Sequence, residues 1–396
     1  MAKKGANRKS RSGPPLPRKR ATIAAVTSRS TTIPELPDDV TCKILLRISD
    51  IKSLARCKQV CKNWRNLILQ PYFAKSHLLR GSLPLSLILY LPSDGPTNPA
   101  HFGILELDDN LARLSRPNAT VKFISAIYIP RKECHGGRVI GACNGLVCLR
   151  VDNDVVVCNP ILPGRHFVLP KLPKLAKAFS SVRFGFGFCP LSVEYKVLTC
   201  TVTRKNHLYN MTFDIFTLGR DDTWRSIGGH NRKSFPRFYT GDDFVFVNGA
   251  LHWLGTSMAS KFLCYFDVEN EELGSLTLDC HIGGVSHLGV LDGLLYLSDL
   301  RSLSDVKVWV MEDYIQTGAW TLKWVVELQH LHVVDGPVRP IKILKDGTVL
   351  MIFRDKRLIS YNPQTRVIER INYRRVGFWT ASIAHTPNFF CPPWLL

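Results

Sequence analysis

Residues Leu36 to Ile68 read LPDDVTCKILLRISDIKSLARCKQVCKNWRNLI, and their periodicity predicts three short amphipathic helices. Leu36-Pro37 makes an extended entry. Asp38 and Asp39 put hydrogen-bond acceptors and negative charge at a helix start, and Val40, Ile44, Leu45 and Ile48 then recur at helical spacing. Ser49 or Asp50 caps a second helix carrying Leu54 and Cys57, and Val60, Cys61, Trp64, Leu67 and Ile68 continue the apolar pattern until Pro71 ends it. About forty residues are near the lower limit for an independent core, so these stripes need cover from a partner or from the rest of the chain. The segment therefore reads as a helix-docking surface or as a helical cap on a larger domain.

After the helices the pattern becomes that of strands. Four times an alternating apolar run reaches Asn-Gly or Asp-Gly and resumes: RVIGAC-Asn144-Gly145-LVCL, FVFV-Asn248-Gly249-ALHWL, LGVL-Asp292-Gly293-LLYLS and IKILK-Asp346-Gly347-TVLMIF. Each predicts a hairpin with a type I′ turn, whose two central residues need a positive φ that Asn or Asp tolerates and Gly adopts freely. A further strand follows each hairpin and ends in polar residues, at Asn159-Pro160, Asp267, Glu312 and Asn362-Pro363. Gly249, Gly293 and Gly347 lie 44 and 54 residues apart, and the wider gap after Gly145 holds an extra β block from Phe184 to Leu218. A blade of four short strands takes roughly 40 to 50 residues, so residues 81–396 predict an irregular β-propeller of about six blades. Strands in Leu85–Tyr90, Gly103–Leu107 and Val121–Ile129 supply the first blade or pair with the C-terminal strand to close the ring. The expected organisation is an N-terminal arm (1–33), a small all-α segment (34–80) and a large all-β domain (81–396).

Residue for residue, the helical segment resembles an F-box. The likeness rests on the Leu36-Pro37-Asp38-Asp39 entry, Ile44-Leu45, Leu54, and Val60-Cys61-Lys62-Asn63-Trp64-Arg65. It departs where many relatives have Pro before the second helix, since Ser49-Asp50-Ile51 stands there. The resemblance implies that Leu36, Pro37, Val40, Ile44, Leu45, Leu54, Val60, Cys61 and Trp64 contact a Skp-type linker protein, and through it a cullin-RING ubiquitin ligase. The β part resembles the F-box-associated domain of plant F-box proteins, a kelch-like propeller relative. Its markers are NGLVCL with CNP, FGFGF with Glu194-Tyr195-Lys196-Val197, Thr223-Trp224-Arg225, and VNGALHWL with FDVEN, over roughly Arg138 to Ile371. That likeness implies a domain that recruits a target protein for ubiquitination.

Composition excludes several classes. Hydrophobic residues make up 45% of the 396, ordinary for a soluble globular protein. The longest apolar run, Leu83 to Pro92, is too short to cross a bilayer, and the basic N-terminus lacks the apolar core of a signal peptide. No membrane partner is expected. The twelve cysteines show no CxxC pair, which fits reduced thiols; Cys134, His135, Cys143 and Cys148 lack the tight spacing of a zinc site, so no metal or other cofactor is expected. The net charge is +20. Residues Met1 to Ile33 contribute Lys3, Lys4, Arg8, Lys9, Arg11, Arg18, Lys19, Arg20 and Arg29 without one acidic residue, and their composition predicts disorder. Pro17-Arg18-Lys19-Arg20 reads as a nuclear import signal, a nucleic-acid arm or a solvated tail; the placement taken is nucleus and cytoplasm.

Catalytic motifs are missing from the sequence: no GxSxG elbow, HExxH, Walker loop or kinase signature. Gly185-Phe186-Gly187 is followed by no helix and reads as an aromatic strand instead of a phosphate loop. His252, Tyr265 and Tyr296 lie in strands beside Trp253 and Phe266, as packing residues do. Target binding is expected on the loops of one propeller face, where basic clusters recur: Arg131-Lys132, Arg204-Lys205, Arg232-Lys233 with Arg237, Arg354 with Lys356-Arg357, and Arg374-Arg375. The reading is a non-enzymatic adaptor. A basic nucleic-acid or chromatin-associated propeller is the alternative.

Overall fold

The computed structural model describes residues 36–48, 51–79, 86–91, 101–107, 123–127, 137–162, 164–172, 180–205, 208–227, 237–238, 244–257, 260–278, 285–300, 305–312, 319–328, 338–353, 357–371 and 381–395. The chain divides into Met1–Pro37, of which Leu36 and Pro37 are described, and Asp38–Leu396, which holds every helix and strand below. The basic arm lies outside the described residues.

Among the described residues four α-helices form where three were expected: α1 (Asp38–Leu46), α2 (Ile51–Val60), α3 (Lys62–Leu69) and α4 (Pro71–Leu79). Pro71 ends the third helical pattern and also opens the fourth helix, because at a first helical position its missing N–H is not needed. Cys61 caps α3, its Sγ accepting from the Trp64 backbone N–H at 3.4 Å. Asp38 accepts from Asn63 Nδ2 at 2.8 Å and so ties α1 to α3. The expected caps of α2, Ser49 and Asp50, lie outside the described residues.

Among the described residues six antiparallel sheets follow, arranged as the blades of a propeller. β1 (Ser86–Leu91), β2 (His101–Glu106) and β3 (Phe123–Ile127) come first. Blade one is β4 (Gly137–Cys143), β5 (Leu146–Val151), β6 (Asp154–Cys158) and β7 (His166–Val168). Blade two is β8 (Ser180–Cys189), β9 (Glu194–Lys205), β10 (Leu208–Thr217) and β11 (Arg225–Ser226). In blade three the first strand is split into β12 (Arg237–Phe238) and β13 (Val245–Val247), which pair with one edge of β14 (Ala250–Ser257); β15 (Ser260–Asp267) and β16 (Glu272–Thr277) complete it. Blade four is β17 (Val285–Leu291), β18 (Leu294–Leu300), β19 (Asp305–Met311) and β20 (Trp320–Glu327). Blade five is β21 (Val338–Ile343), β22 (Val349–Phe353), β23 (Arg357–Tyr361) and β24 (Ile368–Arg370). The sixth sheet runs β25 (Ala381–His385), β1, β2, β3, with register from Ser86↔His385 to Tyr90↔Ala381. The ring thus closes on strands from both ends of the strand region, with β25 and β1 paired in one sheet.

Three of the four expected turns have both central residues at positive φ: Asn144 and Gly145, Asn248 and Gly249, Asp292 and Gly293. The fourth differs. Gly347 has φ +82, but Asp346 does not join it at positive φ; the loop closes through Gly347 N–H to Leu344 O at 2.9 Å and Leu344 N–H to Thr348 O at 2.8 Å. Asp346 Oδ1 accepts from Thr348 N–H at 2.9 Å, holding a longer turn than the dipeptide alone implies. The glycines of FGFGF have a spacing role. A Cβ on Gly185 would lie 2.9 Å from Phe244 Cβ and one on Gly187 2.9 Å from Phe246, so blade two approaches blade three only because neither glycine has a side chain. The two blades are also joined by charge: buried Lys196 donates to Val268 O (2.9 Å) and Glu271 (2.8 Å), and Arg225 grips the same carboxylate.

Beyond β25 the chain folds back over blades one and two. Asn388 Nδ2 donates to Asn144 O at 3.0 Å, and Asn159 Nδ2 donates to the carbonyls of Asn388 (2.9 Å) and Phe390 (2.7 Å). Trp394 sets its ring edge-on to Phe167 and Tyr195, and Leu395 is buried in the core shared by blades one and two. Phe389 leaves that line and enters the core of the helices, beside Leu45, Leu54, Ile68 and Phe73. Ile161 and Leu162, from the β6–β7 turn, pack there too.

Candidate functional site

In α1 the apolar residues divide between two faces. Thr41 and Leu45, one turn apart, point inward and are buried; Val40 and Ile44, also one turn apart, form a second stripe, half-buried and 45% exposed respectively. In α2, Leu54 is 0% exposed and Val60, the last residue, is 64% exposed. Cys61 follows it on the surface, and Trp64 lies half-buried against the bundle core. Leu36 and Pro37, in the N-terminal unit, are exposed.

Of the seven expected linker residues that lie in the helical part, Ile44, Val60 and Cys61 are exposed, with Val40 and Trp64 partly accessible. Leu45 and Leu54, also expected at the linker contact, are instead fully buried in the helical core together with Ile68, Phe73 and Phe389. The physical reason is that an eight- to ten-residue helix over a thin core buries one stripe and leaves its neighbour outside. At the edge of this surface Asp39 and Lys43 face each other at 3.9 Å across one helical turn. Lys58 lays its ammonium 4.4 Å above the Phe389 ring, and burial, with Arg65 nearby, lowers its pKa below the usual lysine range.

The basic positions divide differently. Arg131, Lys132, Arg232, Lys233, Arg354, Lys356, Arg374 and Arg375 lie outside the described residues. Arg204 and Lys205 end β9, Arg237 opens β12, and Arg357 opens β23 with an exposed side chain. Inner strands run the same way in neighbouring blades, since Gly185 faces Phe244 and Gly187 faces Phe246. The turns joining first to second strands, such as Asn144-Gly145, thus mark one mouth of the propeller, and the tail and helices occupy it. The strand ends bearing Arg204-Lys205, Arg237 and Arg357 belong to the opposite mouth.

Among the described residues, no group of three or more His, Cys, Asp or Glu stands ready to hold a metal ion, and no helix is long and apolar enough to cross a membrane. Cys143 and Cys148 are buried in strands, and Cys134 and His135 lie outside the described residues. His252 is buried at the β13–β14 pairing, and burial lowers its pKa to about 4, as fits a packed, neutral imidazole. The packing of residues 386–395 across blades one and two and the helices has no counterpart in the sequence-based expectations. The available signal was TPNFFCPPWLL, an aromatic and proline-rich run after the last strand pattern, which has no strand or helix period of its own.

Comparison with known families gives two matches: an F-box-like segment over residues 33–80 and the F-box associated beta propeller domain over residues 114–389. Among curated proteins of Arabidopsis thaliana, the F-box protein At3g07870 is 25% identical, covering 90% of this chain and 93% of that protein. The F-box/kelch-repeat protein At3g23880 is 26% identical, covering 83% and 87%. F-box protein CPR1 is 24% identical, covering 86% and 84%.

Proposed function

Because this chain belongs to the F-box-associated β-propeller family, we propose that it is a non-catalytic substrate-recognition adaptor of a Skp–cullin–F-box ubiquitin ligase. The observation that carries the reading is the second apolar stripe of the helices. Ile44 and Val60 remain outside although the bundle has already completed its own core, and large apolar side chains in that position fit burial by another polypeptide. The helices occupy one mouth of the propeller, which leaves the other mouth for a target. The adaptor's contribution is proximity: held beside a ubiquitin-charged enzyme, a target lysine meets an effective concentration that free diffusion does not supply.

The test is linker capture by the purified full-length chain. Ile44→Asp and Val60→Asp place charge on exposed positions, so they should leave thermal unfolding nearly unchanged and weaken binding of a Skp-type linker by about a hundredfold together, as for loss of interface anchors. Leu54→Ala, in contrast, empties a buried site and should cost about 2–5 kcal/mol of stability. Unchanged linker affinity in the two aspartate variants would refute the surface assignment. Steeply salt-dependent capture of nucleic acid that is lost with the basic arm, and no linker binding, would favour the alternative.

A further inference from the structure

The helices come early in the chain and the residue that completes their core comes last. Leu45, Leu54, Ile68 and Phe73 share one buried core with Phe389, a residue more than three hundred positions away, and the Lys58 ammonium lies over its ring. Phe389 cannot move independently. On its N-terminal side the chain is held as β25 in the ring-closing sheet, where His385 Nε2 also donates to Gly145 O at 3.1 Å. Asn159 clamps the backbone on both sides of Phe389, donating to Asn388 O and Phe390 O, while its own Oδ1 accepts from Ile161 N–H at 3.1 Å. Phe390 N–H donates to Asn388 Oδ1 at 2.9 Å, and Trp394 and Leu395 anchor the far end between blades one and two. Both flanks of Phe389 are therefore fastened to the propeller while its ring is fastened to the helices.

We propose that residues 386–395 are a strap that locks the helices onto the propeller as one rigid body, with Phe389 as its positioning residue, so that the linker-docking stripe is ordered only when the ring has closed. This rests on the adaptor reading for its consequence but not for its structure. Two effects follow. The angle between the linker face and the target mouth is set by packing, not by the segment joining α4 to β1. Chains lacking their C-terminus carry every helical residue but an incomplete helical core, so they would be poor at engaging the linker. A short helical bundle is unstable without tertiary packing, which is why one missing ring has this reach.

The experiment uses the full-length chain with Phe389→Ala, Phe389→Leu and, independently, Asn159→Ala. Hydrogen exchange is read over α1, α3 and blade four, and affinity is measured for a purified Skp-type linker. In Phe389→Ala the amides of α1 and α3 should exchange about tenfold faster or more while blade four stays protected, as for local release without global unfolding. Linker affinity should fall by about tenfold, because only a fraction of molecules present an ordered stripe. Phe389→Leu should recover most of both, and Asn159→Ala should reproduce both in weaker form. Unchanged exchange in α1 and α3 would overturn the strap, as would faster exchange spread evenly over blade four. If wild-type protein binds no linker but the helices still loosen in Phe389→Ala, the adaptor reading fails and the strap stands. If it binds linker equally well in both forms with the helices loosened, dependence of the docking stripe on the strap is refuted.

Discussion

A chain that stops after Thr380 is expected not to fold. It lacks β25, and with it the partner for the whole inner edge of β1, from Ser86↔His385 to Tyr90↔Ala381. Leu87, Ile88 and Leu89, all fully buried in the intact protein, would then lie along an open strand edge. The same deletion removes the half-buried Trp394 and the buried Phe389, and emptying the Phe389 site alone costs about 3–5 kcal/mol. That is a large share of the stability of an ordinary domain, about 5–15 kcal/mol, before lost strand pairing is counted. The check is expression and solubility of residues 1–380 against the full chain, followed by thermal unfolding of whatever remains soluble. A soluble fragment with a cooperative transition at the wild-type temperature would show that the ring does not need its C-terminal strand.

Acid is expected to destabilise the protein over a defined window. His385 is buried beside Gly145 and His252 is buried under β13, and burial lowers both pKa values to about 4. Each folded-state value is below that of an unfolded histidine, so the unfolded chain binds protons first as pH falls. The stability from keeping these rings neutral is fully present above about pH 6.5 and is lost progressively down to about pH 4, amounting to roughly 3 kcal/mol per histidine. Glu271 shifts stability the same way: burial raises its pKa, but hydrogen bonds from Arg225 and Lys196 outweigh that and hold it below the usual range. His385→Gln keeps a donor for the Gly145 carbonyl without a titrating ring. Urea unfolding at pH 7 and pH 5 should show a smaller pH-dependent loss in that variant than in wild type. An identical loss in both would mean that His385 is not a source of the acid sensitivity.

The elements were legible because their causes are local. Alternating apolar residues separated by Asn-Gly specify a hairpin wherever they occur, since positive φ at two successive residues is a property of the turn itself, and the structure has it at Asn144, Asn248 and Asp292. At Asp346-Gly347 the hairpin also forms, but its turn differs, with the Asp346 carboxylate accepting from the Thr348 N–H, which the dipeptide does not announce. The basic sets illustrate a mixed case. Their recurrence was visible, but assigning Arg204-Lys205, Arg237 and Arg357 to one mouth needed the common direction of the inner strands.

Local order also explains what the linear text of the chain specified: helices with two apolar stripes, a repeated four-strand unit, and a blade number close to six. It could not say which stripe is inside, because Ile44 and Leu45 are adjacent and equally apolar, and their fates differ only through what packs against them. Leu45 lies in the core that Phe389, Ile161 and Leu162 help to build, and Ile44 stays at the surface. Those neighbours are brought together by ring closure, a pairing between β1 and β25 across nearly three hundred residues. No periodicity reaches that far, so the choice between core and surface belongs to long-range packing.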